Sequence, residues 1–531
     1  MMLNITAKHD DACNCLEDLY MSVADWFHVD YELMYSEAWG FSYTQGHNLS
    51  ETSLLSDLFR PGNGDRDALW QLYHGMAVTC TQPKSVSEVI DVICRELGNN
   101  KPVILYMDSF WCPWYKGRYQ QFHTAHYCLI TGINETHDVL YCVDGQNAGN
   151  GAELPVYNMA QGFGEYITFN KVEPSFADRS WQEIISDSMK RFNLSDNSIF
   201  DMLRCFAKDL VPKVDFNAEL SQYKDNPFNA PLFELFLAIG RGRKQFAKSL
   251  QYLSINYNDA RLMGFADRLI RAGDRWSSIF GMIIKSYYMN KEIEMLKKVA
   301  QKIEEAADDE ERIASELREY AETGHTASKQ IHLIKSHMPL DNDLKQYFFV
   351  DLTNYYNNKA FDEVYNDKIT AELSNGGRFM LSDDIPKDRN WNIEHMKFLF
   401  PAIGTGVNDN ISCNAQNIPI PSLEYNHLML LGCSELGNHA DYLMVAYKDG
   451  FTEQVPIELT SWLTPKPTFG ECIALTGRGA VKNSISGNVD IYPFTVSIYA
   501  AHYALKHEGI IDSIKLPYCL NIHLFALTLG K

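Results

Sequence analysis

The spacing of apolar residues changes along the chain and divides it into regions with different predicted structures. After Cys15, apolar residues recur every three or four positions, which is typical of the buried face of a helix. Asn14 is a favourable N-cap and Glu17 stands where it completes a capping box, so Cys15 is predicted in the first turn of this helix. The apolar positions of its buried face are Leu19, Val23, Trp26 and Phe27.

A second helix and several strands are predicted before residue 145. Ser85 and Glu88 form a helix start signal, and Gly98 is a stop signal. From Lys101 onwards, the apolar residues form short continuous runs that are rich in strand formers. We expect one antiparallel sheet that carries first a histidine and then an aspartate, which is the chain order of papain-like folds. The predicted strands are Pro102–Met107, Ala125–Gly132 and Val139–Val143.

The rest of the chain shows a helical region followed by a β-rich region. Residues from about 180 to 345 have a 3.6-residue apolar period, which is clearest between Ile293 and Leu317. Beyond Phe361, short β-like segments alternate with Gly, Asn, Asp and Pro, and Lys448-Asp449-Gly450 is a hairpin signal. We therefore predict an α+β multidomain protein. Its domains are a papain-like cysteine-nucleophile domain at 1–175, a helical domain at 176–355 and a jelly-roll-like β-sandwich at 356–531.

Composition and charge exclude several classes of protein. The chain has 531 residues, a formal net charge of -21 and no long basic stripe, so we expect no nucleic acid partner. Its first residues lack a signal-peptide pattern, and no apolar run approaches the ~18 residues of a membrane span. We expect a soluble, cytoplasmic protein without a membrane partner. The 12 scattered cysteines lack paired zinc-ligand spacings and predict neither a disulfide framework nor a metal or other cofactor.

Three residues of the first domain form a candidate catalytic triad. A thiol attacks carbonyl groups well only as a thiolate, which a helix N-terminus and a nearby histidine both favour. Cys15 has the helix position, His126 begins a strand, and Asp144 ends the next strand, where its carboxylate can orient the histidine. Each residue also has an ordinary interpretation, as a core thiol, a strand-end histidine or a turn aspartate. Cys13 is an alternative nucleophile, and His123 is an alternative to His126.

Several short motifs of the first domain occur in a recognisable order. They are Cys15, Trp39–Tyr43, Glu96–Gly98, Lys101–Pro113, His126–Gly132 and Val143–Asp144. Their order resembles the N-terminal domain of the butirosin biosynthesis protein H family. The resemblance implies a papain-like acyltransferase whose cysteine takes an acyl group from the thioester of an acyl carrier protein and passes it to a small-molecule amine. The chain departs from that family in the shortened stretch Ser36–Gly40 and in an additional C-terminal module.

The additional C-terminal module has its own set of motifs. They are Phe361–Ile369, Ile418–Pro421, Leu430–Gly432, Val445–Gly450 and Leu459–Trp462. Their order resembles the jelly-roll modules that are appended to some glycoside hydrolases. The resemblance implies a β-sandwich that either contacts sugars or packs against the enzyme. Trp462 is accordingly either a stacking platform for a sugar or a core tryptophan that follows a strand.

A short basic segment follows the helical run that ends at Ile239. The segment Gly240–Phe246 superficially resembles a phosphate-binding loop, but it does not follow a strand and lacks the third glycine. We predict a loop or a helix junction. An acidic enzyme that binds an acidic carrier protein needs a local basic surface. Arg241, Arg243 and Lys244 are candidates for that surface, with a solvated loop as the alternative.

The leading functional hypothesis is an acyltransferase of specialised metabolism, of the non-ribosomal peptide or aminoglycoside type. Attack by the Cys15 thiolate on an acyl thioester gives an acyl-enzyme, and aminolysis with His126 as the proton shuttle completes the transfer. One alternative is a cysteine hydrolase, a peptidase or amidase, that uses the same triad with water as the acceptor. Another is a catalytically inactive protein that binds a ligand through its β-sandwich.

Overall fold

The structure of the chain is a computed structural model in which packing defines two units. The first unit comprises Met1–Leu203, Gln222–Gly273 and Ala307–Ala327, and the second comprises Arg204–Ser221, Asp274–Ala306 and Ser328–Lys531. These units follow packing and not chain order, so the three domain boundaries at 1–175, 176–355 and 356–531 remain a prediction. The residues that the structure describes are 2–10, 12–44, 54–62, 64–116, 118–176, 178–194, 197–223, 227–289, 293–324, 340, 342–363, 369–404, 406–421, 423–482 and 488–531.

The two helices predicted from capping signals begin where those signals stand. Asn14 caps the first helix and forms the predicted capping box with Glu17, and Ser85 caps the fourth. No helix within the described ranges has both the length and the apolar content that a membrane span requires. The helices are α1 (Cys15–Phe27), α2 (Leu55–Leu58), α3 (Arg66–His74), α4 (Val86–Gly98), α5 (Val156–Gly162), α6 (Trp181–Lys190), α7 (Ile199–Lys213), α8 (Phe216–Glu219), α9 (Pro231–Asn256), α10 (Ala260–Tyr288) and α11 (Ile293–Thr323).

An antiparallel six-stranded sheet forms the centre of the N-terminal part, and its strand order is β3-β8-β4-β5-β6-β7. Apolar side chains of α1 and α4, such as Val23 and Ile93, join those of the sheet in one core. The three predicted strands are confirmed as β4, β5 and β6. The strands of this region are β1 (Phe41–Tyr43), β2 (Phe59–Pro61), β3 (Met76–Thr81), β4 (Val103–Asp108), β5 (Ala125–Ile133), β6 (Val139–Asp144), β7 (Gly149–Pro155), β8 (Phe163–Lys171), β9 (Asn193–Leu194) and β10 (Asn197–Ser198).

The basic segment Gly240–Phe246 lies inside α9, so the prediction of a loop or a helix junction was wrong. Gly242 serves close packing and not a turn. A Cβ atom on Gly242 would stand 2.4 Å from the backbone oxygen of Ala38, so a larger residue would push the helix away from its neighbour. Arg243 is fully buried, and its Nε donates to Glu310 at 3.0 Å. This arginine is therefore not available for a basic docking surface.

The helical middle of the chain is confirmed by three long helices, α9, α10 and α11. The predicted periodic stretch between Ile293 and Leu317 lies within α11. Residues of this helix with apolar side chains are buried at three- and four-residue spacing, as one face of an amphipathic helix requires. The buried positions include Leu296, Val299, Ile303, Ala307 and Leu317.

The C-terminal part is a β-sandwich, as predicted. An eight-stranded sheet has the order β11-β24-β18-β22-β21-β13-β12 with β16 also paired to β24, and a four-stranded sheet has the order β17-β23-β19-β20. Leu430 of the larger sheet and Val445 of the smaller sheet belong to one core. The strands are β11 (Tyr347–Phe349), β12 (Phe361–Asp362), β13 (Arg378–Leu381), β14 (Asn390–Ile393), β15 (Met396–Leu399), β16 (Ile411–Asn414), β17 (Asn417–Pro419), β18 (His427–Ser434), β19 (His439–Tyr447), β20 (Thr452–Leu459), β21 (Cys472–Lys482), β22 (Val489–Ala504), β23 (Ile511–Lys515) and β24 (Tyr518–Gly530).

Two details of the sandwich decide sequence-based alternatives. The turn between β19 and β20 contains Gly450 with a φ of +89°, a conformation that favours glycine, and the hairpin prediction is confirmed. Trp462 has no exposed surface, so it is a core residue and not a stacking platform for a sugar. Residues 364–368 of the first C-terminal motif lie outside the described residues.

Candidate active site

Cys15 is the first residue of α1 and is partly exposed. The capping box determines this position: Asn14 Oδ1 accepts from the backbone N–H of Glu17 at 3.0 Å, and the Asn14 N–H donates to Glu17 Oε2 at 2.8 Å. A helix N-terminus carries a partial positive charge from its aligned peptide groups. The thiol therefore lies where the backbone favours a negative charge.

His126 is the second residue of β5, and only 3% of its surface is exposed. Its Nε2 donates to Asp144 Oδ2 at 2.8 Å. Cys15 is a second hydrogen-bond partner of the same ring, which leaves Nδ1 for the thiol. The ring of Tyr115 packs against the imidazole with a centroid distance of 5.2 Å. The structure thus brings the predicted residues Cys15, His126 and Asp144 together.

Asp144 ends β6 and is 1% exposed. Its Oδ2 accepts from Trp114 Nε1 at 2.8 Å in addition to His126, and its Oδ1 accepts from the backbone N–H groups of Gln146 and Asn147, each at 3.1 Å. The side-chain amide of Asn147 also donates to the carboxylate. A buried carboxylate with this many donors keeps its charge and its orientation.

The electrostatics of the pair favour a protonated histidine and an ionised aspartate. Burial lowers the pKa of His126, but the hydrogen bonds and charges of Asp144 and Cys15 outweigh burial and raise it to about 10. Burial raises the pKa of Asp144, but His126, Trp114 and Asn147 outweigh burial and lower it below its ordinary value. At neutral pH the ring is therefore an imidazolium that lies between the sulfur of Cys15 and an ionised carboxylate.

Cys13 and His123, the alternatives to Cys15 and His126, lie in places that are less suitable for a nucleophile and its base. Cys13 is buried, 3.5 Å from the hydroxyl of Tyr35 and 3.6 Å from Lys248 Nζ. Burial raises its pKa to about 12, because the pull of Lys248 is smaller than the cost of desolvating a thiolate. His123 is exposed, stacks on Phe110 with a centroid distance of 4.3 Å and pairs with Asp108. The geometry thus favours Cys15 and His126 over both alternatives.

Sequence reasoning missed the residues that support Asp144. Trp114 comes from the loop after β4, and the preceding run Lys101–Pro113 drew attention only as a motif. Asn147 follows Asp144 by three residues, and an aspartate followed by glycine at a strand end indicates a turn in which the carboxylate binds later N–H groups. The turn signal could have revealed Asn147, whereas nothing local indicates Trp114.

The segment before α1 is held against the same turn. Asp18, which is fully buried, accepts from His9 Nδ1 at 2.7 Å and from the backbone N–H of Asp10 at 3.1 Å. A Cβ atom on Gly145 would stand 2.1 Å from the backbone oxygen of Lys8, so this contact requires glycine. The residues before Cys15 therefore lie beside the turn that follows Asp144.

The described residues contain no group of three His, Cys, Asp or Glu side chains that is arranged to hold a metal ion. The cysteines in the described part of the chain are all free thiols.

The arrangement is that of a papain-like domain. A helix begins with a cysteine, an antiparallel sheet carries a histidine, and the next strand carries an aspartate. Comparison with protein families agrees with this class. Residues 22–145 match the family described as "Butirosin biosynthesis protein H, N-terminal", and residues 346–531 match the "AziU2-like beta-sandwich domain". No curated protein matches the chain.

The first match confirms the predicted resemblance of the N-terminal domain, and the second confirms the predicted C-terminal β-sandwich. The chain carries an N-terminal domain of the butirosin biosynthesis protein H type and a C-terminal β-sandwich of the AziU2-like type. The first match indicates a biosynthetic enzyme of the acyltransferase type. His126 and Asp144 lie inside the matched segment, and Cys15 lies shortly before it.

Proposed function

We propose that the chain is an acyltransferase that moves an acyl group from the thioester of an acyl carrier protein, through Cys15, to the amine of a small molecule. The observation that carries the proposal is the placement of His126 between Cys15 and Asp144. A cysteine, a histidine and an aspartate in this order supply a nucleophile, a proton carrier and an orienting group. The family match supports transfer over other uses of the same three residues.

In the first step, His126 holds the proton that the Cys15 thiol gives up, and the thiolate attacks the carbonyl carbon of the donor thioester. The tetrahedral intermediate then collapses, and the bond to the sulfur of the carrier breaks. His126 returns its proton to the departing sulfur. The products are an acyl-Cys15 thioester and the free thiol of the carrier, so atoms and protons balance.

The first turn of α1 supplies donors for the oxyanion. The N–H of Glu17 donates to the side chain of Asn14, and the N–H of Asp18 donates to the backbone oxygen of Asn14 at 3.0 Å. Among the described residues, no acceptor binds the N–H groups of Cys15 or Leu16. The first N–H groups of a helix have no intrahelical partner, and they point toward the region where the carbonyl oxygen becomes negative.

In the second step, an amine attacks the acyl-Cys15 carbonyl, and His126 takes a proton from the nitrogen of that amine. The carbon–sulfur bond breaks, the product leaves as an amide, and the proton returns to the Cys15 thiolate. Asp144 keeps the imidazole in place during both proton transfers. Trp114 and Asn147 contribute indirectly, because they bind the carboxylate and not the reacting groups.

Transfer and hydrolysis share the acyl-enzyme and differ in whether an amine or water discharges it. The test mixes the protein with a panel of acylated carrier proteins and follows its intact mass. We expect a long-lived adduct on Cys15 with the donor alone, and its discharge into an amide when the amine is added. We expect His126→Ala to prevent loading. Rapid release of free acid that no amine diminishes would instead establish a hydrolase.

A further inference from the structure

The first turn of α1 carries a carboxylate close to the nucleophile. Glu17 is 7% exposed, and its Oε2 accepts from the backbone N–H of Asn14, the residue directly before Cys15, at 2.8 Å. A carboxylate at this position stabilises the helix, because it lies at the positive end of the helix dipole. The same charge opposes a thiolate on Cys15, since like charges repel strongly in a partly buried site. The capping box that places the cysteine therefore also opposes its ionisation.

Arg66 lies against this carboxylate. It is the first residue of α3, and its guanidinium lies 3.4 Å from Glu17 Oε1. The guanidinium also lies 3.5 Å from Asp67 Oδ1 and covers the ring of Tyr20 at 4.5 Å. These additional contacts hold the planar guanidinium in place, so that little further freedom is lost when it pairs with Glu17. Arg66 therefore fixes the Glu17 carboxylate and offsets its charge.

The opposing effects of the two charges are evident at Tyr35, whose hydroxyl lies 3.5 Å from the sulfur of Cys13. Burial is the largest cause of the raised pKa of Tyr35, and Cys13 adds to it. The charge of Glu17 raises this pKa further, whereas the charge of Arg66 lowers it. Both charges thus act on a group beside the start of α1, and they act in opposite directions.

Other carboxylates near the start of α1 already have basic partners. These pairs are Asp18 with His9 at 2.7 Å, Asp10 with Lys248 at 2.6 Å, and Asp144 with His126 at 2.8 Å. Among the residues that the structure describes, Arg66 is the only basic side chain that forms an ion pair with Glu17. The charge of Glu17 therefore depends on Arg66 for its compensation.

We infer that Arg66 is a positioning residue of the proposed acyl transfer, which holds Glu17 in the capping box and offsets its charge so that Cys15 can ionise. This inference rests on the proposed function for the role of Cys15 as the nucleophile. Loss of the Arg66 charge should disfavour the thiolate, and loss of the Glu17 charge should favour it. A pair that only stabilises the fold would instead give a loss of reactivity from either side.

The test follows the rate of iodoacetamide labelling of Cys15 along the acid limb of its pH profile, in the full chain. We expect Arg66→Met to raise the pH of half-maximal labelling by about one unit and Glu17→Gln to lower it by a similar amount. Glutamine retains the capping box, because its side-chain oxygen still accepts from the Asn14 N–H. The double variant Arg66→Met/Glu17→Gln should return close to the wild-type profile, and Arg66→Lys, which keeps the charge, should stay near it.

Two control variants change similar groups in other helices. Arg95→Met removes an exposed guanidinium that pairs with Glu96, in α4, and Glu183→Gln changes the carboxylate of the capping box of α6. Neither should move the labelling profile of Cys15. Circular dichroism and urea unfolding check the fold of every variant.

The outcomes separate a charge effect from a packing effect. An unchanged profile in Arg66→Met, or a double variant that is as slow as Arg66→Met alone, would overturn the inference. If Arg66→Met does not fold, Glu17→Gln decides, because an unchanged or higher pH of half-maximal labelling would contradict the offset of charges. Labelling needs no acyl donor. The expected shifts in a protein that neither loads from a carrier nor acylates an amine would therefore support the role of Arg66 and contradict the proposed function.

Discussion

Each of the two units buries a carboxylate beside a histidine, but the two pairs hold their protons differently. In the first unit, Asp144 lies against His126, and the pKa of His126 rises to about 10. In the second unit, Glu435 Oε1 lies 3.3 Å from His523 Nε2, yet the pKa of His523 falls below its ordinary value because burial outweighs the carboxylate.

Burial is the largest cause of the low pKa of His523, and a second cation adds to it. Lys285 forms an ion pair with Glu435, and its charge lowers the pKa of the neighbouring His523. The additional groups that bind Asp144 are instead the neutral donors Trp114 and Asn147. The hydrogen bonds and charges of Asp144 and Cys15 thus outweigh burial at His126, whereas Glu435, with Lys285 beside it, does not outweigh burial at His523. We interpret the first pair as catalytic and the second pair as structural.

The strongest test of the first pair removes its reacting groups. We expect Cys15→Ala and His126→Ala each to lower the rate of acyl transfer by a factor on the order of 10⁴ or more, because a nucleophile and its base act as a unit. Loading and transfer are measured by intact mass, and circular dichroism checks the fold. Cys13→Ala is the matched control and should retain most of the activity. An active Cys15→Ala variant would contradict the assignment.

Removing Lys285 should make the electrostatic environment of His523 more like that of His126. Lys285→Met leaves Glu435 buried beside His523 without its cation, so we expect the free energy of unfolding to fall by about 3–5 kcal/mol and the pKa of His523 to rise. Urea unfolding measures the first effect. Lys297→Met, which removes an exposed lysine paired with Glu294, should change stability by less than about 0.5 kcal/mol. Equal stability of the Lys285→Met variant and the wild type would refute the comparison.

Removing the negative charge of Asp144 should lower the pKa of His126, as burial does for His523. The pKa of His126 is raised, so its stabilising proton is fully present below its ordinary pKa and is lost as the pH rises through about 10. Asp144→Asn should lower that pKa. The alkaline decline of the loading rate should therefore move to lower pH, and at pH 8 the loading rate should be about a hundredfold lower than in the wild type.

Asp138→Asn is the control for this charge change, because Asp138 lies exposed in the turn between β5 and β6. We expect its pH profile to match the wild type. An unshifted alkaline limb in Asp144→Asn would show that Asp144 does not determine the protonation of His126.

A smaller effect is expected from the support of Asp144. Trp114→Phe removes one hydrogen bond of 2.8 Å to the carboxylate, so we expect loading to slow about tenfold and the pKa of Asp144 to rise. Trp111→Phe in the same loop removes a similar ring without a bond to Asp144 and should change the rate less than about threefold. Equal effects of the two substitutions would assign Trp114 a packing role only.

Local signals predicted much of this fold. The capping box of Asn14 and Glu17 gave the start of α1, strand formers gave β5 and β6, and periodicity gave α11. These features depend on neighbours in sequence. The interior of α9 was missed because Gly240 and Gly242 interrupt the helical pattern. At Gly242 the reason is close packing, which is a property of the tertiary structure.

The environment of the site was less predictable than its residues. The choice between Cys13 and Cys15 depends on desolvation, and Cys13 is buried by Tyr35 and by Lys248, which lies far away in sequence. The contact between Trp114 and Asp144 likewise joins a loop to a strand end. Such contacts have no periodic signal, so the sequence indicated the candidate triad but not the side chains that surround it.

The most direct test of the account measures how fast each cysteine of the native protein reacts with iodoacetamide at pH 7, peptide by peptide. We expect Cys15 to react at least about tenfold faster than Cys80, which is exposed but has a pKa raised to about 11 by burial and Glu165. Cys13 should be nearly inert, and His126→Ala should abolish the advantage of Cys15. Preferential labelling of Cys13, with Cys15 unreactive, would contradict the assignment of the nucleophile.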